Sequence, residues 1–181
     1  QATLQHDWNT ALGNVLVGLE SIKEAVSGTQ AYAVNSRTTE AAFVGWTGQA
    51  GRHLWQTNLR RDDNSQFGSA TTGFASYGFQ LTPNWRPHVA YGTSFKMPSF
   101  NTLYYVSASF NGNPTTQPER GKNTEAGLTY TNGTHEVKLT RFDNRVRGFI
   151  TLQPVVTNVP RARIEGWSLA YTGSAGAWSW F

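Results

Sequence analysis

The sequence Trp85-Arg-Pro-His-Val-Ala-Tyr-Gly-Thr-Ser-Phe-Lys96 decides the fold. Bulky or β-branched side chains recur at every second position from Trp85 to Phe95, and polar or small ones fill the positions between. A period of two residues predicts a β-strand with one apolar and one polar face. Met97-Pro98 ends the strand, because proline has no N–H to donate to a neighbouring strand. The aromatic, Asn-rich and Gly-rich residues that follow predict a long loop, where function often concentrates.

The composition favours single apolar faces over a compact soluble core. Of the 181 residues, 13% are aromatic and only 14% are charged, whereas a soluble domain is roughly a quarter charged. The basic residues are scattered, so nucleic-acid binding is not expected. The chain has no Cys, which excludes disulfides, thiol nucleophiles and thiolate metal sites. It shows no apolar run long enough for a transmembrane helix.

Nine alternating segments and the beginning of a tenth are predicted along the chain. They cover residues 2–9, 14–26, 38–48, 52–61, 70–81, 85–96, 123–131, 135–153, 162–171 and 177–181, with long polar loops at 27–37, 62–69, 97–122 and 154–160. Asn132-Gly133 is the strongest hairpin signal.

These segments have the length and the flanking residues of membrane-crossing strands. A tilted strand of about ten residues crosses a bilayer, and Trp and Tyr near segment ends suit interfacial aromatic belts. Long loops at one end and short turns at the other also favour an all-β, antiparallel, up-and-down transmembrane β-barrel. A soluble β-sandwich binding module, for example one that holds sugars on its aromatic residues, makes similar strands and stays the alternative.

The polar stretch after the fourth segment predicts a structural loop base. Its carboxylates could bind a cation or a substrate amide. We expect them instead to pair with neighbouring arginines, while the Asn and Ser side chains bond turn backbone. The loop-base residues are Arg60, Asp62, Asp63, Asn64 and Ser65.

The sequence gives no sign of catalysis or of a metal site. The four histidines, at positions 6, 53, 88 and 135, show no metal-ligand spacing. No nucleophile turn or phosphate-binding glycine loop is present. We therefore predict that the chain is not an enzyme and holds no cofactor or metal.

Four separated motifs carry a resemblance to a known family. They are Leu59-Arg-Arg-Asp-Asp-Asn-Ser-Gln-Phe-Gly68, Tyr91-Gly-Thr-Ser-Phe-Lys-Met-Pro-Ser-Phe-Asn-Thr-Leu-Tyr104, Gly112-Asn-Pro114 with Pro118-Glu119, and Ala162-Arg-Ile-Glu-Gly-Trp167. In this order and spacing they resemble the barrel of TonB-dependent outer-membrane receptors, although Met97 stands where that family often has Ala. The string Asp62–Gly68 resembles the vitamin B12 (cobalamin) receptor branch. Siderophore and haem receptors share the strand, Pro and Asn-Pro signals, so they stay alternatives.

The resemblance implies a location in the bacterial outer membrane and a plugged barrel of about 22 strands. Residues 1–181 would then be a partial barrel domain, with nine or ten strands present and the plug domain and other strands absent. It also implies uptake of cobalamin, or of a ferric siderophore or haem, driven by TonB through that plug. The barrel exterior would contact outer-membrane lipid.

Two sets of candidate residues follow from this resemblance. A corrin or siderophore would be held by flat apolar surface and a few amide and hydroxyl groups. The substrate candidates in the long loop are Tyr104, Tyr105, Phe110, Asn111 and Asn113. Polar lumen residues would hydrate the interior and hydrogen-bond the plug; the candidates are Arg86, His88, Ser94, Lys96, Glu125, Glu136 and Lys138. Packing of the loop on itself and plain solvation of the lumen are the simpler roles for these two sets.

Overall fold

The computed structural model describes residues 1–30, 32–152, 155–175 and 178–180. Its elements, in chain order, are β1 (Ala2–Thr10), β2 (Gly13–Ala25), β3 (Ser36–Ala50), β4 (His53–Asn64), β5 (Gly68–Phe79), β6 (Trp85–Lys96), α1 (Phe100–Tyr104), β7 (Glu119–Asn132), β8 (His135–Thr151), β9 (Thr157–Ala175) and β10 (Trp178–Trp180). No helix in this described part is long and apolar enough to cross a membrane.

Each strand pairs antiparallel with the next one along the chain, and the described strands form one sheet in the order β1 to β10. The outer strands β1 and β10 each pair on one side only, so the sheet is an open wall. The predicted antiparallel up-and-down fold is confirmed. The β-sandwich alternative is wrong, because Tyr77 and Val89, which a second layer would bury, are 43% and 53% exposed.

The register gives the sheet one apolar and one polar face. Tyr77 pairs with Val89, and Leu128 pairs with Leu139, which in turn pairs with Leu169. Since directly paired residues point to the same side of a sheet, these side chains share one outward face. The large buried apolar side chains, such as Leu103 and Val156, lie in the loops instead, whereas the buried apolar residues of the sheet are small alanines.

The strands extend further at the loop end than the sequence predicts. The predicted loop 62–69 is only a short turn, since β4 continues to Asn64 and β5 begins at Gly68. Likewise β7 begins at Glu119 and β9 at Thr157, inside predicted loops. In these extensions the apolar and polar residues no longer alternate, because both faces of a strand meet water beyond the membrane. The backbone pairing between strands nevertheless continues.

The turns at the opposite end match the sequence more closely. The hairpin prediction at Asn132-Gly133 is confirmed: Gly133 has a φ of 58° in the turn between β7 and β8, a conformation that glycine adopts without strain. The predicted tenth segment begins at Ala177 and ends at Phe181, and both lie outside the described residues, as does Pro154 of a predicted loop.

Candidate substrate loop and lumen surface

The loop between β6 and β7, residues 97–118, has its own packed base. It contains α1, whose first turn is capped by the Ser99 hydroxyl, which accepts a hydrogen bond from the Thr102 N–H at 3.1 Å. Phe100 and Leu103 of this helix are buried, Leu103 with only 1% of its surface exposed. A five-residue helix is not stable alone, so these contacts hold it in place.

Arg37, at the start of β3, joins this loop to the sheet and is 6% exposed. Its guanidinium donates to the Pro98 carbonyl oxygen at 2.8 Å and pairs with the Glu24 carboxylate at 2.7 Å. It also lies over the Phe100 ring, 4.7 Å from the centroid, and over Phe67 at 5.8 Å. One buried cation thus connects two strands, a neighbouring turn and the beginning of the long loop.

Two of the five substrate candidates hold the loop in position. The Tyr104 hydroxyl accepts a hydrogen bond from Gln66 Nε2 at 3.0 Å, and Asn113 Nδ2 donates to the Val156 carbonyl oxygen at 3.0 Å. These contacts tie the loop to the β4–β5 turn on one side and to the β8–β9 loop on the other. Both side chains therefore have a structural role at the base of the loop.

The other three candidates lie together at the tip of the loop. A bridge between Val106 and Asn111, and a hydrogen bond from the Gly112 N–H to the Tyr105 carbonyl at 2.8 Å, fold the tip into a small hairpin. The Tyr105 and Phe110 ring centroids are 6.1 Å apart. Tyr105 is 38% exposed, and Asn111 is exposed beside it. The tip offers two aromatic rings and one amide to solvent.

Most of the lumen candidates surround a single hollow on the polar face of the sheet. The hollow has a volume of about 770 Å³. The candidates that line it are Arg86, His88, Glu125, Glu136 and Lys138. Within the described ranges, no three His, Cys, Asp or Glu side chains come together as a metal site. The lining carries charges of both signs, which suits hydrogen bonding and ion pairing.

The two remaining lumen candidates lie nearer the loops. Lys96 pairs with Glu119 at 3.3 Å, and the buried Glu119 carboxylate also accepts a hydrogen bond from the Ile150 N–H at 3.0 Å. Ser94 packs against Gly121, where an added Cβ would lie 2.3 Å from the serine oxygen. The seven residues therefore divide into five around the hollow and two at the loop end of β6.

Polar atoms in the lumen wall are shielded from solvent without a partner in the described part of the chain. His88 Nε2 and Asn123 Oδ1 are two such atoms, although Asn123 Nδ2 donates to Glu125 at 2.7 Å. The His88 ring packs over Gly127, where an added Cβ would lie only 2.5 Å from the ring. Buried polar atoms normally have hydrogen-bond partners, so His88 Nε2 and Asn123 Oδ1 keep unused hydrogen-bonding capacity.

The fold of this chain is that of a known family. The family model for TonB dependent receptor-like β-barrels matches residues 1–181. This chain belongs to that family. TonB-dependent receptors are outer-membrane proteins and not enzymes. The sequence-based resemblance is therefore confirmed at the level of the family.

Individual relatives of this receptor chain include vitamin B12 transporters. The chain is 29% identical over 164 residues to the vitamin B12 transporter BtuB of Photobacterium profundum, which covers 82% of this chain and 26% of the transporter. It is 26% identical to BtuB of Vibrio vulnificus over 81% of this chain and 25% of that protein. The chain thus spans about a quarter of the length of these relatives.

Solved structures of TonB-dependent receptors share the fold of this chain. The siderophore receptor PirA from Pseudomonas aeruginosa superimposes with a TM-score of 0.82 at 19% identity, over 97% of this chain and 36% of that one. The copper transporter OprC gives a TM-score of 0.73 at 18% identity, over 97% and 34%. At these identities the likeness concerns the fold alone.

The loop-base residues of this receptor chain form one ion-pair group and one turn. In the ion-pair group, Arg60 pairs with Asp62 at 2.9 Å and with Glu20 of β2 at 2.6 Å. Asp63 points to the other face of the sheet and accepts a hydrogen bond from the Ser69 hydroxyl at 3.3 Å. The two ion pairs of Arg60 stabilise the lumen side of the sheet below the turn.

The turn itself depends on Asn64 and Ser65. Asn64 Oδ1 accepts hydrogen bonds from the Gln66 and Phe67 N–H groups at 2.9 and 3.1 Å. The Ser65 hydroxyl accepts one from the Thr38 N–H at 3.0 Å. These bonds satisfy backbone donors that a tight turn leaves free.

Sequence reasoning missed Arg37 and Glu119, which hold the two ends of the long loop. Arg37 gives no sequence signal, because an arginine between a polar loop and a strand is usually solvated. Glu119 had one available signal, since it follows Pro118 in a motif that carries the family resemblance. A charged residue fixed within a loop motif is a reasonable candidate for a buried contact.

Proposed function

We propose that residues 1–181 form part of the barrel domain of an outer-membrane receptor that binds vitamin B12 (cobalamin) outside the cell and admits it through the lumen. The plug domain and the remaining strands would lie elsewhere in the protein. The observation that supports cobalamin most directly is the similarity to two vitamin B12 transporters along most of this chain.

The tip of the long loop suits a flat ligand with amide groups. Aromatic rings pack well against a large planar apolar surface, and a few amide or hydroxyl groups fix its orientation. Tyr105 and Phe110 supply the rings, and Asn111 supplies the amide. Tyr104 and Asn113 would contribute by keeping the loop base rigid, which lowers the entropy cost of binding.

The lumen wall suits a polar plug that TonB can move. The five residues around the hollow carry both signs of charge, so they can form ion pairs and hydrogen bonds with a domain inside the barrel. His88 Nε2 and Asn123 Oδ1 would gain partners there. Such contacts are individually modest in energy, which is compatible with a plug that is held yet can shift.

A ferric siderophore or haem is the second candidate ligand. The siderophore receptor PirA has the same fold over nearly the whole chain, so the fold is compatible with such a ligand. The same aromatic tip could pack against a catecholate or a porphyrin. The ligand is therefore best identified by measuring the binding of cobalamin, a siderophore and haem to the same receptor.

The test is a binding titration on the full-length receptor that contains this segment. Purified in detergent, it is titrated in parallel with cyanocobalamin, a ferric catecholate siderophore and haemin. We expect saturable binding of cyanocobalamin only. Tyr105→Ala and Phe110→Ala should each weaken that binding about tenfold, since one lost ring contact is worth about 1.4 kcal/mol.

Tyr91→Ala is the matched control, because Tyr91 is an exposed aromatic residue on the outward face of β6. Its binding constant should equal that of the unaltered receptor. Saturable binding of the siderophore or haemin without cyanocobalamin would reject the cobalamin assignment in favour of the second candidate. Unchanged affinity in both loop variants would reject the tip as the contact surface.

A further inference from the structure

The outward face of β7, β8 and β9 carries two rows of basic residues at the loop end, here called the cation rows. Strand pairing aligns Arg120 with Arg147 and Arg147 with Arg161; in the next row it aligns Lys122 with Arg145 and Arg145 with Arg163. Further along the same face lie Leu128, Leu139 and Leu169. The cation rows therefore face away from the lumen, on the loop side of the apolar residues and separated from them by the row that contains Asp143 and Glu165 and the row that contains Arg141.

This arrangement is unfavourable unless an anion is present. Like charges directly opposite each other destabilise a sheet, and here every cross-strand pair in both rows is a pair of cations. Two carboxylates lie in the next row: Asp143 pairs with Arg145 at 2.8 Å and Arg163 at 2.9 Å, and Glu165 pairs with Arg163 at 3.1 Å. Glu165 is also shared with Arg141. Two of the six cations, Arg145 and Arg163, are thus paired with these carboxylates.

Four members of the cation rows have no carboxylate partner within the part of the chain that the structure describes. They are Arg120, Lys122, Arg147 and Arg161. Arg120 lies over the Phe95 ring, 4.9 Å from its centroid, which orients its guanidinium without neutralising it. All four keep hydrogen-bond donors free for a ligand.

The cation rows lie at the level of the lipid headgroups. Lys122 and Arg120 stand ten and twelve residues along β7 from Asn132, at the short-turn end. At about 3.4 Å per residue and a strand tilt of about 40°, this places them roughly 26 to 31 Å above the turn. The apolar band of an outer-membrane barrel is about 25 Å tall.

We propose that the cation rows bind a phosphorylated lipid headgroup in the outer leaflet of the outer membrane. Arginine forks match phosphate oxygens in pairs, and basic clusters beside membrane spans attract anionic headgroups. Two rows of three cations can neutralise more than one phosphate. This inference goes beyond the proposed function, because it requires only the location of the chain in the membrane and no particular transported ligand.

The charge distribution elsewhere on the outward face shows that the cation rows are a local feature. On β2, β3 and β4, the loop-end residues of the outward face include the basic Lys23 and Arg61 and the acidic Glu40 and Asp63. Strand pairing places Glu40 directly opposite Asp63. Charge there is nearly balanced. A basic surface needed only for general attraction to a membrane would not be confined to three adjacent strands.

The test measures lipid binding to the full-length receptor by native mass spectrometry. The receptor is purified in a neutral detergent, and vesicles of phosphatidylcholine containing bisphosphorylated lipid A, or the same lipid with its phosphates removed, are added. We expect adducts with the phosphorylated lipid only. The triple variant Lys122→Gln, Arg147→Gln and Arg161→Gln should reduce those adducts at least tenfold. Its fold should persist, because the substitutions remove like-charge repulsion and no ion pair.

The matched control is the triple variant Lys23→Gln, Arg52→Gln and Arg61→Gln, which removes the same charge from other outward or turn positions. It should bind the phosphorylated lipid as the unaltered receptor does. Equal binding of the dephosphorylated lipid, or an equal loss in the control, would each overturn the proposal. The comparison of the two lipids on the unaltered receptor decides the matter even if the triple variant fails to fold.

Discussion

At the scale of single residues, Arg37 shows how a protein with little hydrophobic core organises a long loop. Its charge is balanced by Glu24, its hydrogen bond satisfies the Pro98 carbonyl, and its plane packs on the Phe100 and Phe67 rings. Charge-assisted hydrogen bonds are stronger than neutral ones, and a buried guanidinium gains further stabilisation from aromatic faces. The position of the long loop between β6 and β7 therefore depends on a residue far from its tip.

Substitution of Arg37 should loosen this loop without unfolding the sheet. Arg37→Gln removes the ion pair and both cation–aromatic contacts, a loss of about 2 kcal/mol in local stability. We expect amide hydrogen exchange in the peptide containing Leu103 and Tyr105 to be about 30 times faster. Arg61→Gln is the control, since among the described residues Arg61 makes one long side-chain hydrogen bond, to the Thr71 hydroxyl at 3.4 Å. Unchanged exchange in Arg37→Gln would show that the loop is held by other contacts.

At the scale of elements, strand pairing continues where the hydrophobic pattern stops. The segment Glu119–Lys122 has no apolar residue, so its sequence predicts a loop. In the structure it belongs to β7, which pairs with both β6 and β8. The apolar alternation of a membrane strand records contact with lipid, not hydrogen bonding. The sequence can therefore locate the part of each strand within the membrane, while the part beyond it depends on backbone pairing that leaves no apolar trace.

The same distinction explains the outcome for the candidate loop. The type and position of the loop could be predicted, because Met97-Pro98 and the run of Asn and Gly residues break the strand period. The sequence could not predict which substrate-binding candidates lie at the base of the loop and which lie at its tip. That division depends on hydrogen bonds from Tyr104 and Asn113 to partners in other loops. Such contacts between distant segments have no signature in local sequence.

The helix α1 should be the element on which the loop fold depends. Leu103→Ala removes a nearly fully buried side chain, a change that costs at least about 2 kcal/mol. Because protease cleavage follows the population of the open form, chymotrypsin should cut the loop at least about 30 times faster. Val106→Ala, at a site that is half exposed, should leave the rate unchanged. If chymotrypsin cut Leu103→Ala no faster than the unaltered protein, the packed helix at the loop base would be contradicted.

At the scale of the whole molecule, the described sheet is a single layer whose two faces meet different environments. Several outward side chains, such as Leu4, Leu169 and Trp167, are more than half exposed, and this is far more apolar surface than a soluble protein tolerates. In a membrane this surface meets hydrocarbon, and the polar face meets water or a plug. The central claim is that this alternation, residue by residue, separates lipid from lumen.

The most direct measurement is the accessibility of spin labels on β5 and β6 in the full-length receptor in lipid bilayers. Labels replace the outward Tyr77 and Val89, or the inward Ser76 and Ala90, which pair with each other in the same register. Power saturation compares collisions with oxygen, which concentrates in lipid, and with a water-soluble nickel chelate. We expect positions 77 and 89 to be the more accessible to oxygen and positions 76 and 90 to be the less accessible. Equal or reversed oxygen accessibility between the two pairs would contradict the account.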